Sequence, residues 1–136
     1  MKVVFPDGTA VRASPLAARG AEVCDFGLYL DARWAPEWPA AVIEWEDFGV
    51  PRDPDAAAAA IRDAFARARA GEVVEVGCVG GLGRTGTVLA CMAILSGVAP
   101  EGPVAWVRER YDERAVETEA QEDWPLWFAE HARLGP

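Results

Sequence analysis

Lysine is almost missing from this chain: Lys2 stands alone against twelve arginines among the 13 basic residues. The 22 acidic residues bring the formal charge to -9, which argues against any partner held mainly through phosphate-backbone electrostatics, nucleic acid and phosphoinositide-rich membranes included. Histidine occurs once, as His131, and cysteine three times, as Cys24, Cys78 and Cys91. One histidine and three scattered cysteines do not make a zinc cluster, and an odd, widely spaced set does not make a disulfide framework, so reduced thiols are expected. No stretch approaches the roughly 18 apolar residues of a membrane span, and Met1 to Gly8 lacks the apolar run of a secretory signal. The expected compartment is the cytoplasm.

What is present suits a folded chain. Half of it is apolar (51%), and its 136 residues fit one domain, 1–136, able to bury a core without disulfides or metals. Val3-Val4-Phe5 before Pro6-Asp7-Gly8 predicts a strand entering a tight turn, and Asp25 to Leu30 and Ala41 to Trp45 predict two more. Asp53-Pro54-Asp55 supplies a helix cap with proline at the first helical position, and Gly71 a stop, so residues 54–70 are expected to be helical. Val73 to Val76 reads as a short buried strand, Thr85 to Ser96 as an apolar helix, the segment around Val104 to Val107 as a further helix, and Thr118 to Leu134 as an amphipathic last helix with Trp124, Trp127 and Phe128 inward. Early strands, one strand–helix crossover and later helices predict an α/β sandwich of three layers with a small, partly parallel central sheet flanked by helices.

The chemistry concentrates in Val76-Gly77-Cys78-Val79-Gly80-Gly81-Leu82-Gly83-Arg84-Thr85-Gly86, which leads from a strand through a glycine-rich loop into a helix. The unpaired N–H groups and the dipole at a helix N-terminus stabilise an oxyanion, and glycines at 80, 81 and 83 let the backbone curl around it. The same field favours a thiolate over a thiol at the floor of such a loop. Arg84 brings a planar fork that holds two phosphate oxygens at once. A Walker-type nucleotide loop is excluded, because Arg84 replaces its lysine and Cys78 its leading glycine.

Cys78, five residues and Arg84-Thr85-Gly86 resemble the signature loop of the protein tyrosine and dual-specificity phosphatase superfamily. Trp45-Glu46-Asp47-Phe48-Gly49-Val50-Pro51 resembles the acid loop of that family, with Asp47 at the position of the general acid. Arg114 to Gln121 resembles its water-positioning loop, with Gln121 as the water-orienting residue. The resemblance implies a phosphatase-type sandwich and a two-step reaction without metal or other cofactor. Cys78 would be the nucleophile; Arg84 and the backbone of Val79, Gly80, Gly81, Leu82 and Gly83 would grip phosphate; Thr85 would support the departing thiolate.

Three departures stand out. Gly77 replaces the histidine before the cysteine, Glu46 replaces the proline of the acid loop, and Glu117 stands where tyrosine-specific members carry a further glutamine. No segment resembles the separate phosphotyrosine-recognition loop. The loop residues Val79, Gly80, Gly81 and Leu82 carry no charge, which favours a phosphorylated protein or peptide, phosphotyrosine first, over a phosphoinositide. Tyr29, Arg33, Trp34 and Trp38 are candidates either for the mouth of the site or for the core. Cys24 and Cys91 read as buried structural cysteines, either of which would protect an oxidised Cys78 if it lay close by. The rival readings are a non-catalytic phosphate-binding relative, a phosphatase for a small metabolite, and a thiol redox or sulfur-transfer enzyme.

Overall fold

The computed structural model describes residues 1–16, 23–31, 36–46, 49–80 and 82–132. Five strands form one sheet: β1 (Lys2–Val4), β2 (Ala10–Pro15), β3 (Phe26–Tyr29), β4 (Ala40–Val42) and β5 (Val74–Cys78). Their order is β1-β2-β5-β3-β4. Only β1 and β2 run antiparallel; β5 lies between β2 and β3 and parallel to both, with Ser14 and Tyr29 beside Gly77. The α/β class is as the sequence leads one to expect, and the sheet, expected to be partly parallel, is parallel in every pair but β1–β2. The strand β2 is additional, and its consequence is positional: it fills the second edge of β5, so the strand bearing Cys78 is paired on both sides.

Four helices follow: α1 (Pro54–Arg69), α2 (Gly83–Leu95), α3 (Pro103–Arg110) and α4 (Glu119–Ala132). Helix α1 begins where Asp53 accepts a hydrogen bond from the Ala56 N–H at 3.1 Å and ends before Gly71, whose φ of +99° suits glycine. Its Ala57, Ala58 and Ala64 are buried, so the helix backbone approaches the sheet closely. Thr118 caps α4 by accepting from the Gln121 N–H at 3.2 Å.

The register divides the sheet into two unlike faces. Val3, Val11, Ala13, Phe26, Leu28, Val74, Val76 and Cys78 join one core cluster with Ile61, Phe65, Leu89 and Phe128 of the helices. Each fully buried side chain of that size contributes about 1.5–3 kcal/mol. The opposite face carries Arg12, Glu75, Gly27 and Tyr29. All four parallel strands end at one edge, and Cys78 is the last residue of the central one. In open parallel sheets that edge is where ligands bind.

Candidate active site

Strand β5 runs two residues further than its β-branched stretch suggests, through Gly77 to Cys78. Cys78 is thus held by the sheet, and the loop begins only at Val79. Its Sγ accepts a hydrogen bond from the Thr85 hydroxyl at 3.0 Å, and the cysteine is 2% exposed. Thr85 sits in the first turn of α2, so the helix N-terminus and the sulfur face each other across the loop.

Arg84 is buried, and its Nη1 donates to the Leu30 carbonyl at 2.7 Å and to the Trp45 carbonyl at 2.9 Å. The two acceptors come from the end of β3 and from the start of the 45–51 loop. One guanidinium therefore joins three segments that are far apart in sequence. Because both acceptors are backbone atoms, no side-chain pattern in the sequence announces them.

Asp47, the expected acid, and Phe48 lie outside the described residues, but both ends of the turn that carries them are placed. The Gly49 N–H donates to the Glu46 carbonyl at 3.0 Å, and Trp45 and Pro51 form an antiparallel bridge. The Gly49 carbonyl accepts from the Trp45 indole at 2.7 Å and from Gln121 Nε2 at 3.0 Å. Gln121 is fully buried, and its Oε1 accepts from the Glu117 N–H at 2.9 Å. The amide thereby ties the start of α4 to the turn at 46–49.

The segment before α4 is braced from α3. Arg108 donates to the Ala115 carbonyl at 2.9 Å and the Val116 carbonyl at 2.8 Å, while the Val116 N–H donates to the Leu82 carbonyl at 3.3 Å. Val116 has a φ of +63°, a costly conformation for a β-branched residue that these contacts impose. A β-carbon on Gly86 would lie 2.9 Å from the Val116 nitrogen, so only glycine lets α2 come this close. Arg108 and Val116 escape sequence reasoning, since neither has an unusual type or spacing.

Two glycines of the loop do something other than expected. Gly80 and Gly83 have no positive φ, so neither is required for a left-handed turn; Gly81 lies outside the described residues. Gly83 is required for space. A β-carbon there would collide with Glu117 Oε1 and approach Gln121 Oε1 to 3.0 Å.

Tyr29 and Trp38 belong to the far face of the sheet, not to the mouth. Tyr29 is fully buried, donates to Glu75 at 2.7 Å and accepts from the Trp38 indole at 2.8 Å. Burial first, and then the hydrogen bond to Glu75, push its hydroxyl well above the usual tyrosine range. Arg33 and Trp34 lie outside the described residues. Cys24 and Cys91 are buried as expected, but Cys24 lies 3.8 Å from the Tyr29 hydroxyl, across the sheet from Cys78. Tyr111 is on the Cys78 side: burial, with negative charge at Cys78 and Asp112 adding to it, pushes its hydroxyl up to about 12.

The sequence profile of the protein-tyrosine phosphatase family matches residues 38–111, more than half of the chain. The chain belongs to the protein-tyrosine phosphatase family. An uncharacterized protein of Methanocaldococcus jannaschii is 43% identical to it over 73% of this chain and 72% of that one. Among solved structures, Tk-PTP in its active form superposes with a TM-score of 0.68 at 25% identity, covering 79% of each chain. Human DUSP28 shares the fold at a TM-score of 0.71 and 15% identity, over 98% of this chain and 99% of its own. Family and fold together support phosphatase activity, that of a hydrolase acting on phosphorylated substrates. Among the described residues of this protein-tyrosine phosphatase, no helix is long and apolar enough to cross a membrane.

Proposed function

We propose that this phosphatase hydrolyses phosphomonoesters, phosphotyrosine in proteins first and phosphoserine or phosphothreonine after it, through a phosphocysteine at Cys78. The observation that carries the reading is the contact of Thr85 Oγ1 with Cys78 Sγ at 3.0 Å, beneath a loop whose Arg84 is anchored by two carbonyls.

In the first step the Cys78 thiolate attacks phosphorus in line. The P–O bond to the leaving group breaks, and Asp47 gives that oxygen its proton. Arg84 and the backbone N–H groups of residues 79–84 hold the equatorial oxygens, where charge builds up. In the second step water attacks phosphorus, its proton passes to Asp47, and the P–S bond breaks to return the thiolate. The Thr85 hydroxyl already donates to that sulfur and stabilises it as it leaves. Gln121 orients the water once the turn through Gly49 shifts and releases its Nε2. No step needs a metal or another cofactor.

The test is hydrolysis of para-nitrophenyl phosphate with EDTA present, for the wild type and Cys78→Ser, followed by phosphotyrosine and phosphoserine peptides. Metal-independent turnover that the substitution abolishes is expected, with phosphotyrosine peptides the better substrates. Undiminished turnover in Cys78→Ser would remove the cysteine from the mechanism. Phosphate binding without turnover by the wild type would mark a non-catalytic phosphate-binding protein.

A further inference from the structure

Glu117, which stands where tyrosine-specific members carry a further glutamine, is given no role in the two-step scheme above, yet it occupies a guarded position. Its Oε1 occupies the space that a β-carbon at Gly83, the first residue of α2 and the end of the phosphate loop, would fill. Its backbone is fixed from three sides. Gln121 accepts from the Glu117 N–H, Arg108 holds the two preceding carbonyls, and Val116 is bonded to Leu82.

Glu117 is an exposed residue, and among the described residues its carboxylate forms neither an ion pair nor a hydrogen bond. Neighbouring carboxylates differ. Asp112 is bridged to Arg114, Glu122 to Arg108 and Glu46 to Arg52. A negative charge without an ion-pair partner among the described residues therefore stands at the rim of a loop built to hold an anion. It repels a dianionic phosphate, and it leaves an ion-pair position that a substrate cation can fill.

We infer that Glu117 is a specificity-determining residue that selects phosphopeptides carrying arginine or lysine beside the phosphorylated residue. This rests on the phosphatase reading of the same loop. Phosphate and the flanking cation would be bound together, so the repulsion felt by bare phosphate is offset by the ion pair. A unit charge some 6 Å away in a water-like medium changes affinity by about threefold, and more where solvent is excluded.

The experiment compares wild type, Glu117→Gln and Glu117→Lys at pH 7.5 and fixed salt. It uses phosphotyrosine peptides flanked by arginine or by aspartate, with equilibrium binding of inorganic phosphate as a second measurement. The wild type is expected to favour the arginine-flanked peptide in kcat/KM, chiefly through KM. Glu117→Gln is expected to shrink that preference at least threefold and to bind inorganic phosphate more tightly, and Glu117→Lys to reverse the preference. The same change at Glu113, an exposed carboxylate outside the site, is expected to leave the preference intact. Equal preference and equal phosphate affinity in wild type and Glu117→Gln would overturn the inference. Because phosphate binding is measured without turnover, it still reports on Glu117 if no peptide is hydrolysed, an outcome that would instead count against the phosphatase reading.

Discussion

A hydroxyl 3.0 Å from a buried sulfur is the most consequential single contact for the proposed reaction, because it acts on the atom that would carry charge there. Hydrogen bonds to charged groups are worth about 1.5–3 kcal/mol. Thr85→Val keeps the shape of the side chain and removes only that donor. Turnover is therefore expected to fall by roughly tenfold to a hundredfold, with thermal stability nearly unchanged; single-turnover kinetics on para-nitrophenyl phosphate would show it. An unaltered rate would mean that the contact is structural. Gly83 argues the same point from space: Gly83→Ala is expected to displace Glu117 and Gln121 together and to cost activity, measured by kcat/KM against Glu117→Gln. These residue types were legible in the sequence because Cys78, Arg84 and Thr85 share one short motif. What was hidden is that Gly83 yields space and not a turn, since an approach from residue 117 is a tertiary fact.

At the scale of elements, the site is a junction of the β5–α2 loop, the turn at 46–49 and the segment before α4, joined by Arg84 and Gln121. Gln121 is fully buried and bonded at both ends of its amide. Gln121→Leu leaves the Glu117 N–H without its acceptor, while the Gly49 carbonyl keeps the Trp45 indole. A stability loss of about 1–3 kcal/mol is expected, read from urea unfolding, together with a larger loss of turnover as the turn at 46–49 comes away from α4. A variant of wild-type stability and rate would show that the bridge is dispensable. Helices α1 and α2 were readable from Asp53, Pro54, Gly71 and an unbroken apolar run. Strand β2 was not. Ala10-Val11-Arg12-Ala13-Ser14-Pro15 has weak strand character by itself, and it is a strand because β1 and β5 pair with it on either side.

Across the whole molecule, the sheet separates two chemistries. One face ends in Cys78; the other buries a polar network in which Tyr29 donates to Glu75, Trp38 donates to Tyr29, and Arg12 stands 3.7 Å from Glu75. Tyr29 folds back over Gly27, where any side chain would strike its ring. Sequence periodicity marks the alternation of faces but gives no sign that Glu75, in the middle of an apolar strand, finds partners on β2 and β3. The network sets an alkaline limit on stability. Tyr29 is held well above the ordinary tyrosine range and Tyr111 at about 12, so both bind their protons more tightly folded than unfolded. A raised folded pKa gives stability that is complete below the unfolded value near 10 and is lost as pH rises beyond it. Urea unfolding is expected to show no contribution from these groups to pH dependence between pH 7 and 9, then a decline above pH 10 that approaches about 1.4 kcal/mol per pH unit for each tyrosine. Tyr29→Phe is expected to lower stability at pH 8, because Glu75 loses the hydroxyl that donates to it at 2.7 Å, and also to flatten the decline between pH 10 and 11. If the substituted protein instead lost stability with the same slope as the wild type, the alkaline limit would lie elsewhere than in the network on the far face of the sheet.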